Sequence, residues 1–156
     1  MTEIPLVCGG VVLIDEEDAP LILQKHWTKN RRGDGTVSGV RSTSRPRPYL
    51  HRVLLKTSQG LVVDHINGDV LDNRRDNLRV CTQQQNLQNA RKRKTLSSQY
   101  KGVCWHKRDH IWEATISILG VHTHLGTFHL EENAAMAYNK AAKEHFGEYA
   151  HLNEVT

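Results

Sequence analysis

Residues 63–86 set an Asp-His pair and two asparagines at intervals that suit a metal-dependent nuclease site. Hydrolysis of a phosphodiester needs a base that deprotonates water and a cation that offsets the charge building on the phosphoryl oxygens. His65 titrates near neutral pH and is the candidate base. Asp64 and Asn86 carry hard oxygen atoms of the kind Mg²⁺ prefers, which makes them candidate metal ligands. Asn77 has donor and acceptor atoms, so we expect it to tie the following loop to the hairpin and to hold the imidazole in one tautomer.

The sequence around these residues predicts a β-hairpin followed by a helix. Residues 61–66 form a β-branched run that ends at an Asn-Gly turn, and residues 77–82 form a second alternating run. Residues 83–90 are polar and compatible with a helix. Because neighbouring side chains of a strand point to opposite faces, Asp64 and His65 can share one site only if the strand twists or bulges there.

Four segments of this region carry a resemblance to a known family: LHR (50–52), VDHINGD (63–69), LDNRRDNLR (71–79) and QNLQN (85–89). Over roughly residues 40–95 the chain resembles the HNH endonucleases with a ββα-metal fold, especially the phage and intron-encoded homing type. The resemblance implies that His65 is the general base and Asn77 the structural middle residue. It also implies that Asp64 and Asn86 bind the metal, although some members carry His at the last position. DHINGD alone would be read as an ordinary hairpin turn, but four segments in order favour a nuclease.

Positive charge is concentrated in one part of a chain whose net charge is only +4. Eight Lys or Arg and no acid lie between Asn77 and Arg108, which leaves 13 basic against 17 acidic residues elsewhere. We interpret 91–98 as a basic linker that neutralises DNA phosphates. A solvated charge run and a nuclear address are the alternatives. The candidate DNA contacts of the linker are Arg91, Lys92, Arg93 and Lys94.

The cysteines and the hydropathy pattern restrict the class of protein. Cys8, Cys81 and Cys104 are an odd count without paired spacing, which argues against a disulfide framework and against a structural zinc site. The sequence contains neither a run of about 18 apolar residues nor the layout of a signal peptide. We therefore expect a cytoplasmic protein with no membrane partner. The resemblance implies a bacterial or phage-infected host cell and no small-molecule substrate.

The carboxy-terminal third predicts three strands and a helix. Strands are expected at 101–106, 111–118 and 122–128, and a helix over 131–146 that ends at Gly147. One face of the middle strand is apolar and would pack on the helix, which leaves the other face of the sheet free.

A second resemblance covers roughly residues 97–154, through YKGV, IWEATI, HLGTF, EENAAMAYNKAA and AHLN. These motifs are similar to the AP-two/ERF DNA-binding domain of plant transcription factors. The resemblance implies that the sheet enters the major groove, where its exposed side chains read base edges. Plant domains carry Arg or Trp at many of these positions, so the plant target sequence does not transfer. The matching positions are Lys101, Gly102, Cys104, His106, Thr115, Ser117, His122 and His124. A zinc site on the three histidines is an alternative that no Cys or carboxylate spacing completes.

Residues 1–50 predict less. Short strands are expected at 11–14 and 21–23, followed by a basic, loop-rich stretch at 27–49 whose arginines either grip DNA or are solvated. His51 and Arg52 are expected near the active site, with Arg52 either contacting phosphate or supporting the fold.

The sequence thus predicts an α+β protein of two modules. The first is an HNH nuclease domain at 1–90, with a small β-rich leader and a ββα-metal core at about 50–90. After the linker at 91–98, a DNA-binding domain at 99–154 has a three-stranded antiparallel sheet packed on one helix. The expected function is site-preferring, homing-type cleavage of double-stranded DNA with Mg²⁺, or with Mn²⁺ in its place. The alternative is a non-catalytic, sequence-specific DNA-binding regulator that retains the HNH fold.

Overall fold

Short antiparallel strands and a few helices make up the residues that the computed structural model describes, which are 1–90, 92 and 97–155. They fall into two units, Met1–Asn86 and Leu87–Thr156. The predicted mixture of α and β structure, with small antiparallel sheets, is confirmed. Three predicted DNA contacts, Arg91, Arg93 and Lys94, lie outside the described residues. In the described part of the chain, every helix is too short or too polar to cross a lipid bilayer.

Two hairpins and a short helix form the amino-terminal leader. The elements are β1 (Thr2–Pro5), β2 (Val11–Ile14), α1 (Ala19–Ile22), β3 (Trp27–Arg31) and β4 (Val37–Ser42). Helix α1 occupies the segment predicted as a strand at 21–23, so that prediction is wrong. Pro20 lies in the first turn of α1, where its missing N–H leaves no helical hydrogen bond unmade. The loop-rich prediction for 27–49 is also wrong over β3 and β4, because their alternation is too short to stand out in the sequence.

The next elements are α2 (Leu50–Leu54), β5 (Leu61–His65), β6 (Leu78–Thr82) and α3 (Gln83–Asn89). Strands β5 and β6 pair in antiparallel register, with Asp64 opposite Arg79 and His65 opposite Leu78. A single 3-10 turn, Arg75–Asn77, precedes β6. The order hairpin then helix agrees with the sequence prediction, and each element ends within one residue of the predicted position.

One hydrophobic core joins the leader to this hairpin. Trp27 and Val40 of the second leader hairpin are fully buried, and Leu50 packs with them from α2. Val63 of β5 and Leu78 of β6 belong to the same cluster. Burial of each such side chain contributes roughly 1.5–3 kcal/mol to folding. The leader is therefore the support on which the hairpin is held.

The second unit is a three-stranded sheet packed on one helix. Its elements are β7 (Val103–His106), β8 (Ile111–Ile118), β9 (Val121–Phe128) and α4 (Glu131–Phe146). The strands are antiparallel in the order β7-β8-β9. Helix α4 buries a stripe of small and aromatic side chains that recur at helical spacing and ends at Gly147, which takes a positive φ of 53°. The stripe consists of Ala134, Ala135, Tyr138, Ala141, Ala142 and Phe146.

Gly102, which lies just before β7, packs closely against Tyr138 of α4. Its φ is +75°, and a Cβ there would lie 1.9 Å from Cδ2 of Tyr138 and 2.7 Å from the carbonyl oxygen of Thr115. Gly120, in the turn between β8 and β9, has a similar φ of +82° but no heavy atom within 4 Å of a Cβ. The two glycines share the backbone conformation and differ in the space around them.

We predict that Gly102→Ala destabilises the protein more than Gly120→Ala. Both substitutions carry the cost of a left-handed residue, roughly 1 kcal/mol, and only the first adds a clash with a buried ring, on the order of 1–3 kcal/mol. Urea unfolding followed by circular dichroism measures both free energies. Equal losses for the two variants would contradict the packing constraint at Gly102.

Candidate functional site

The loop between β5 and β6 is closed by the side chain of Asn77. Its Nδ2 donates to the carbonyl oxygen of Asp72 at 2.7 Å and to Oδ1 of Asn67 at 3.0 Å, and its Oδ1 accepts from the N–H of Asn67 at 2.9 Å. Asn77 is buried, so these bonds replace the water that its amide would otherwise bind. The predicted tie between loop and hairpin is present in the structure.

Ion pairs and backbone bonds fix the rest of the loop against the leader. Arg74 pairs with buried Asp72 at 2.7 Å and thereby holds the pKa of that carboxyl below its usual range. Arg75 reaches Asp18 at 2.6 Å. The backbone of Leu13 in β2 bonds to Leu71 and Asn73 at 2.8 Å each. The loop is therefore anchored on both sides before any ligand is bound.

His65, the candidate base, is buried and contacts Asn73, which is fully buried. Nε2 of His65 lies 3.3 Å from Oδ1 of Asn73. The Nδ2 of Asn73 donates to the carbonyl oxygen of Val70 at 3.1 Å, which fixes the amide with its oxygen toward the ring. This orientation favours the tautomer in which Nε2 of the imidazole donates to Asn73 and Nδ1 is the nitrogen with acceptor character. The tautomer that was expected from Asn77 is set by Asn73.

Burial lowers the pKa of His65 below its usual 6.5. The bond to Asn73 and the charges of Asp64, Asp69 and Asp72 act in the opposite direction, because they favour the protonated ring. The net lowering keeps the imidazole neutral at pH 7. A neutral ring is the form that can take a proton from water.

A second histidine lies against the first. The ring centroids of His51 and His65 are 5.3 Å apart with an edge-on angle of 84°, and His51 stacks on Tyr49 at 5.3 Å. Burial, with the charges of His65 and Arg52, lowers the pKa of His51 to about 4, so this ring is also neutral. His51 thus lies against the candidate base, and Arg52 is exposed.

Asp64, the first candidate metal ligand, is buried and paired with Arg79 across the hairpin. Nη2 and Nε of Arg79 lie 2.8 Å and 3.0 Å from Oδ2 of Asp64. The pair follows from the register, because Asp64 and Arg79 are directly opposite on neighbouring strands. Arg79 thus balances the carboxylate charge in the structure.

Asn86, the second candidate ligand, is half-buried on α3. The helix starts with a capping box, in which Oγ1 of Thr82 accepts from the N–H of Gln85 and Oε1 of Gln85 accepts from the N–H of Thr82. The backbone of Asn86 hydrogen-bonds to Cys81. Burial raises the pKa of the Cys81 thiol, and the nearby charge of Asp64 raises it further. Cys81 therefore lies close to both candidate ligands.

Asp64 and His65 contact different groups. The β5–β6 register runs without a shift from Leu61 to His65, so the bulge that would turn both side chains to one face is absent there. Asp64 pairs with Arg79, whereas His65 contacts Asn73 and His51. The carboxylate is still near enough to raise the pKa of the imidazole.

The donor set suits a hard cation with substrate ligands. Within residues 1–90, 92 and 97–155 no three His, Cys, Asp or Glu side chains form a metal-binding group. Asp64 and Asn86 would supply one carboxylate and one amide oxygen. Mg²⁺ is typically held by one or two carboxylates together with water and substrate phosphate, so these residues fit it.

Two of the predicted DNA contacts in the second unit have structural roles. Nζ of Lys101 donates to the carbonyl oxygen of Gln88, and burial lowers the pKa of Lys101 to about 8. Gly102 provides the space for Tyr138. Lys92, predicted as part of the linker, donates to the carbonyl oxygens of Tyr100 and Val103. The ammonium groups of Lys92 and Lys101 both donate to backbone carbonyl oxygens, so neither is a free surface charge.

The other predicted positions lie on or beside the face of the sheet opposite α4. Ser117 pairs with His122, and Thr115 with His124, in the β8–β9 register. Their side chains are exposed, apart from that of Thr115, which is half-buried. Glu113, on the same face, is 2.9 Å from Nδ1 of His124 and 3.7 Å from Sγ of Cys104. His106 pairs with Asp109 at 3.0 Å.

Sequence reasoning missed Asn73, Arg79 and Glu113. Asn73 stands inside the LDN segment, but its contact with His65 spans the loop and has no sequence spacing of its own. Arg79 and Glu113 could have been found from strand register, because each lies opposite or diagonal to its partner on the next strand.

The β5–β6 hairpin, helix α3 and the buried surroundings of His65 together form the candidate site. A family model described as HNH endonuclease matches residues 49–88. Over 149 residues the chain is 36% identical to the "Uncharacterized HNH endonuclease L560" of Acanthamoeba polyphaga mimivirus, covering 94% of this chain and 76% of that protein. It is 30% identical over 92 residues to "Protein 3.8" of Escherichia phage T7, covering 59% of this chain and 75% of that protein. No solved structure matches the chain significantly. The chain belongs to the HNH endonuclease family.

We predict that the pKa of His65 in the free protein is lowered from its usual 6.5. In the neutral ring, the single N–H proton should lie on Nε2. Asn73→Ala should mix the two tautomers and lower the pKa further, since it removes an acceptor that favours the protonated ring. Nitrogen-15 spectra of labelled imidazoles over a pH series measure both properties, with His65→Ala as the assignment control. A wild-type ring protonated on Nδ1 would contradict the assignment.

Proposed function

We propose that this protein is a homing-type endonuclease that hydrolyses phosphodiester bonds of double-stranded DNA with a divalent cation. One observation carries the proposal: His65 is buried, neutral and directed by Asn73 so that Nδ1 is its accepting atom. Membership of the HNH endonuclease family supports the reaction type. Both relatives are encoded by viruses, which supports action inside an infected cell.

The chain's own residues provide the base and its orientation. Nδ1 of His65 accepts the proton of the attacking water, while Asn73 holds the opposite ring nitrogen. The edge of the ring packs on His51, which limits its rotation. Asn77 keeps the loop closed, so Asn73 stays in place through the reaction. A positioned base of this kind contributes on the order of 10²–10⁴ in rate.

Asp64 and Asn86 would hold Mg²⁺, or Mn²⁺ in its place. When bound, the cation offsets the negative charge on the phosphoryl and leaving oxygens. Arg79 orients Asp64, because its Nε and Nη2 both donate to Oδ2 of that carboxylate.

The sheet of the second unit is proposed to supply site preference. Its face opposite α4 carries Thr115, Ser117, His122 and His124, whose side chains can hydrogen-bond base edges. The resemblance to the AP-two/ERF domain supports this assignment. Glu113 on the same face would repel phosphate and can accept from cytosine N4, so it favours groove contacts over backbone contacts.

Incubation with supercoiled plasmid tests the proposal. We expect nicked or linear DNA with Mg²⁺ and none with a chelator, and His65→Ala should lose about 10²–10⁴ in single-turnover rate while still binding duplex DNA. A matched control is His26→Ala, because His26 is an exposed residue of the same unit. A wild-type chain that binds the duplex but cuts it with neither Mg²⁺ nor Mn²⁺ would be a DNA-binding regulator instead.

The ligand assignment predicts a shift in metal dependence. Asp64→Ala and Asn86→Ala should each raise the Mg²⁺ concentration for half-maximal cleavage, because each removes one oxygen ligand. Gln84→Ala is the control on the exposed side of the same helix and should titrate like wild type. Wild-type titration curves for both ligand variants would show that the cation binds elsewhere.

A further inference from the structure

The chain has a second basic segment, in the leader. Between Lys25 and Lys56 there are nine Lys or Arg against a single acid, Asp34. Within the described residues, none of the nine forms an ion pair with a carboxylate. The carboxylate of Asp34 accepts instead from the backbone N–H and the hydroxyl of Thr36. The positive charge of this segment is therefore uncompensated.

The loop that carries two of these arginines is anchored to the hairpin through its backbone. Arg45 and Arg47 are exposed in the loop 43–48, which returns to β4 through a bond from the N–H of Ser42 to the carbonyl oxygen of Pro48. Tyr49 then bridges to Arg41 of β4. The loop is thus a fixed extension of the β3–β4 hairpin.

A line of ring contacts runs from this hairpin to the candidate base. The guanidinium of Arg41 lies 5.8 Å from the centroid of Tyr49, which stacks on His51, which in turn contacts His65. Asn30 fixes the start of the line, since it donates to the hydroxyl of Tyr49 and accepts from Arg41. Nε of Arg41 is buried and has no partner among the described residues. A buried donor left unpaired is costly, and a bound oxyanion would relieve it.

We infer that the β3–β4 hairpin and the loop 43–48 bind the sugar-phosphate backbone of duplex DNA beside the bond that is hydrolysed next to His65. The identity of the partner rests on the proposed function. A guanidinium group can donate two parallel hydrogen bonds to the oxygens of one phosphate. Several arginines with no neighbouring carboxylate bind DNA with an affinity that depends on counterion release. The contact line places this surface next to the reacting end of β5. The surface therefore positions the substrate, while the sheet of the second unit reads its sequence.

Salt-dependent binding by the full chain tests the inference. Binding to a duplex is measured with chelator present, so that the DNA stays intact, for wild type and for the Arg45→Gln/Arg47→Gln double variant. We expect the affinity of the variant to fall about tenfold or more. The negative slope of log affinity against log salt should become less steep by about 1–2, at about 0.9 for each lost phosphate contact. Arg52→Gln, on α2, is a second variant with the same expected direction.

The matched control is Lys140→Gln/Lys143→Gln, which removes the same charge from exposed positions of α4. Its slope should equal that of wild type. An unchanged slope in the arginine variants, or an equal change in the control, would overturn the inference. A loss of binding to RNA of the same sequence without a loss for duplex DNA would also overturn it. If wild type fails to cut plasmid while the arginine variants still lower the slope, the proposed catalysis fails and the surface stands.

Discussion

The hydrogen bond between Asn73 and His65 is the interaction on which the candidate site depends. This bond sets which ring nitrogen of His65 is the proton acceptor. It can form only when the loop between β5 and β6 is closed. Asn77 closes that loop from inside, and Leu13 and Asp18 of the leader hold it from outside. The small β-rich leader therefore supports the candidate site, because its contacts hold the loop in place.

Charge in the site is balanced before any substrate arrives. Asp64 is buried with Arg79, and Asp72 is buried with Arg74, so no buried carboxylate described in the loop or on β5 lacks a cation. His51 and His65 are instead kept neutral by burial. The candidate site thus combines a neutral base with nearby arginines. This combination suits phosphodiester hydrolysis, in which a proton is removed and negative charge is stabilised.

Local patterns predicted the elements, and tertiary contacts decided the roles. The Asn-Gly turn, the two β-branched runs and the helical stripe ending at Gly147 are written in adjacent residues, so β5, β6, α3 and α4 could be anticipated. The Leu21–Leu23 region could not, because three apolar residues fit a strand or a helix turn equally well. The role of Asn73 could not be predicted either, since its contact with His65 forms only after the loop folds. Lys101 was assigned to DNA by resemblance, whereas its ammonium is bound by Gln88.

The pH dependence of single-turnover cleavage tests the central claim, that a neutral His65 oriented by Asn73 is the base. Burial lowers its pKa from the usual value, so the rate should be level at neutral and mildly alkaline pH and should fall as acidification protonates the ring. Asn73→Asp, which sets a negative charge beside the imidazole, should raise the pKa and move that fall to higher pH. A fall at the same pH in wild type and Asn73→Asp, or a wild-type rate still rising through pH 8, would contradict the account.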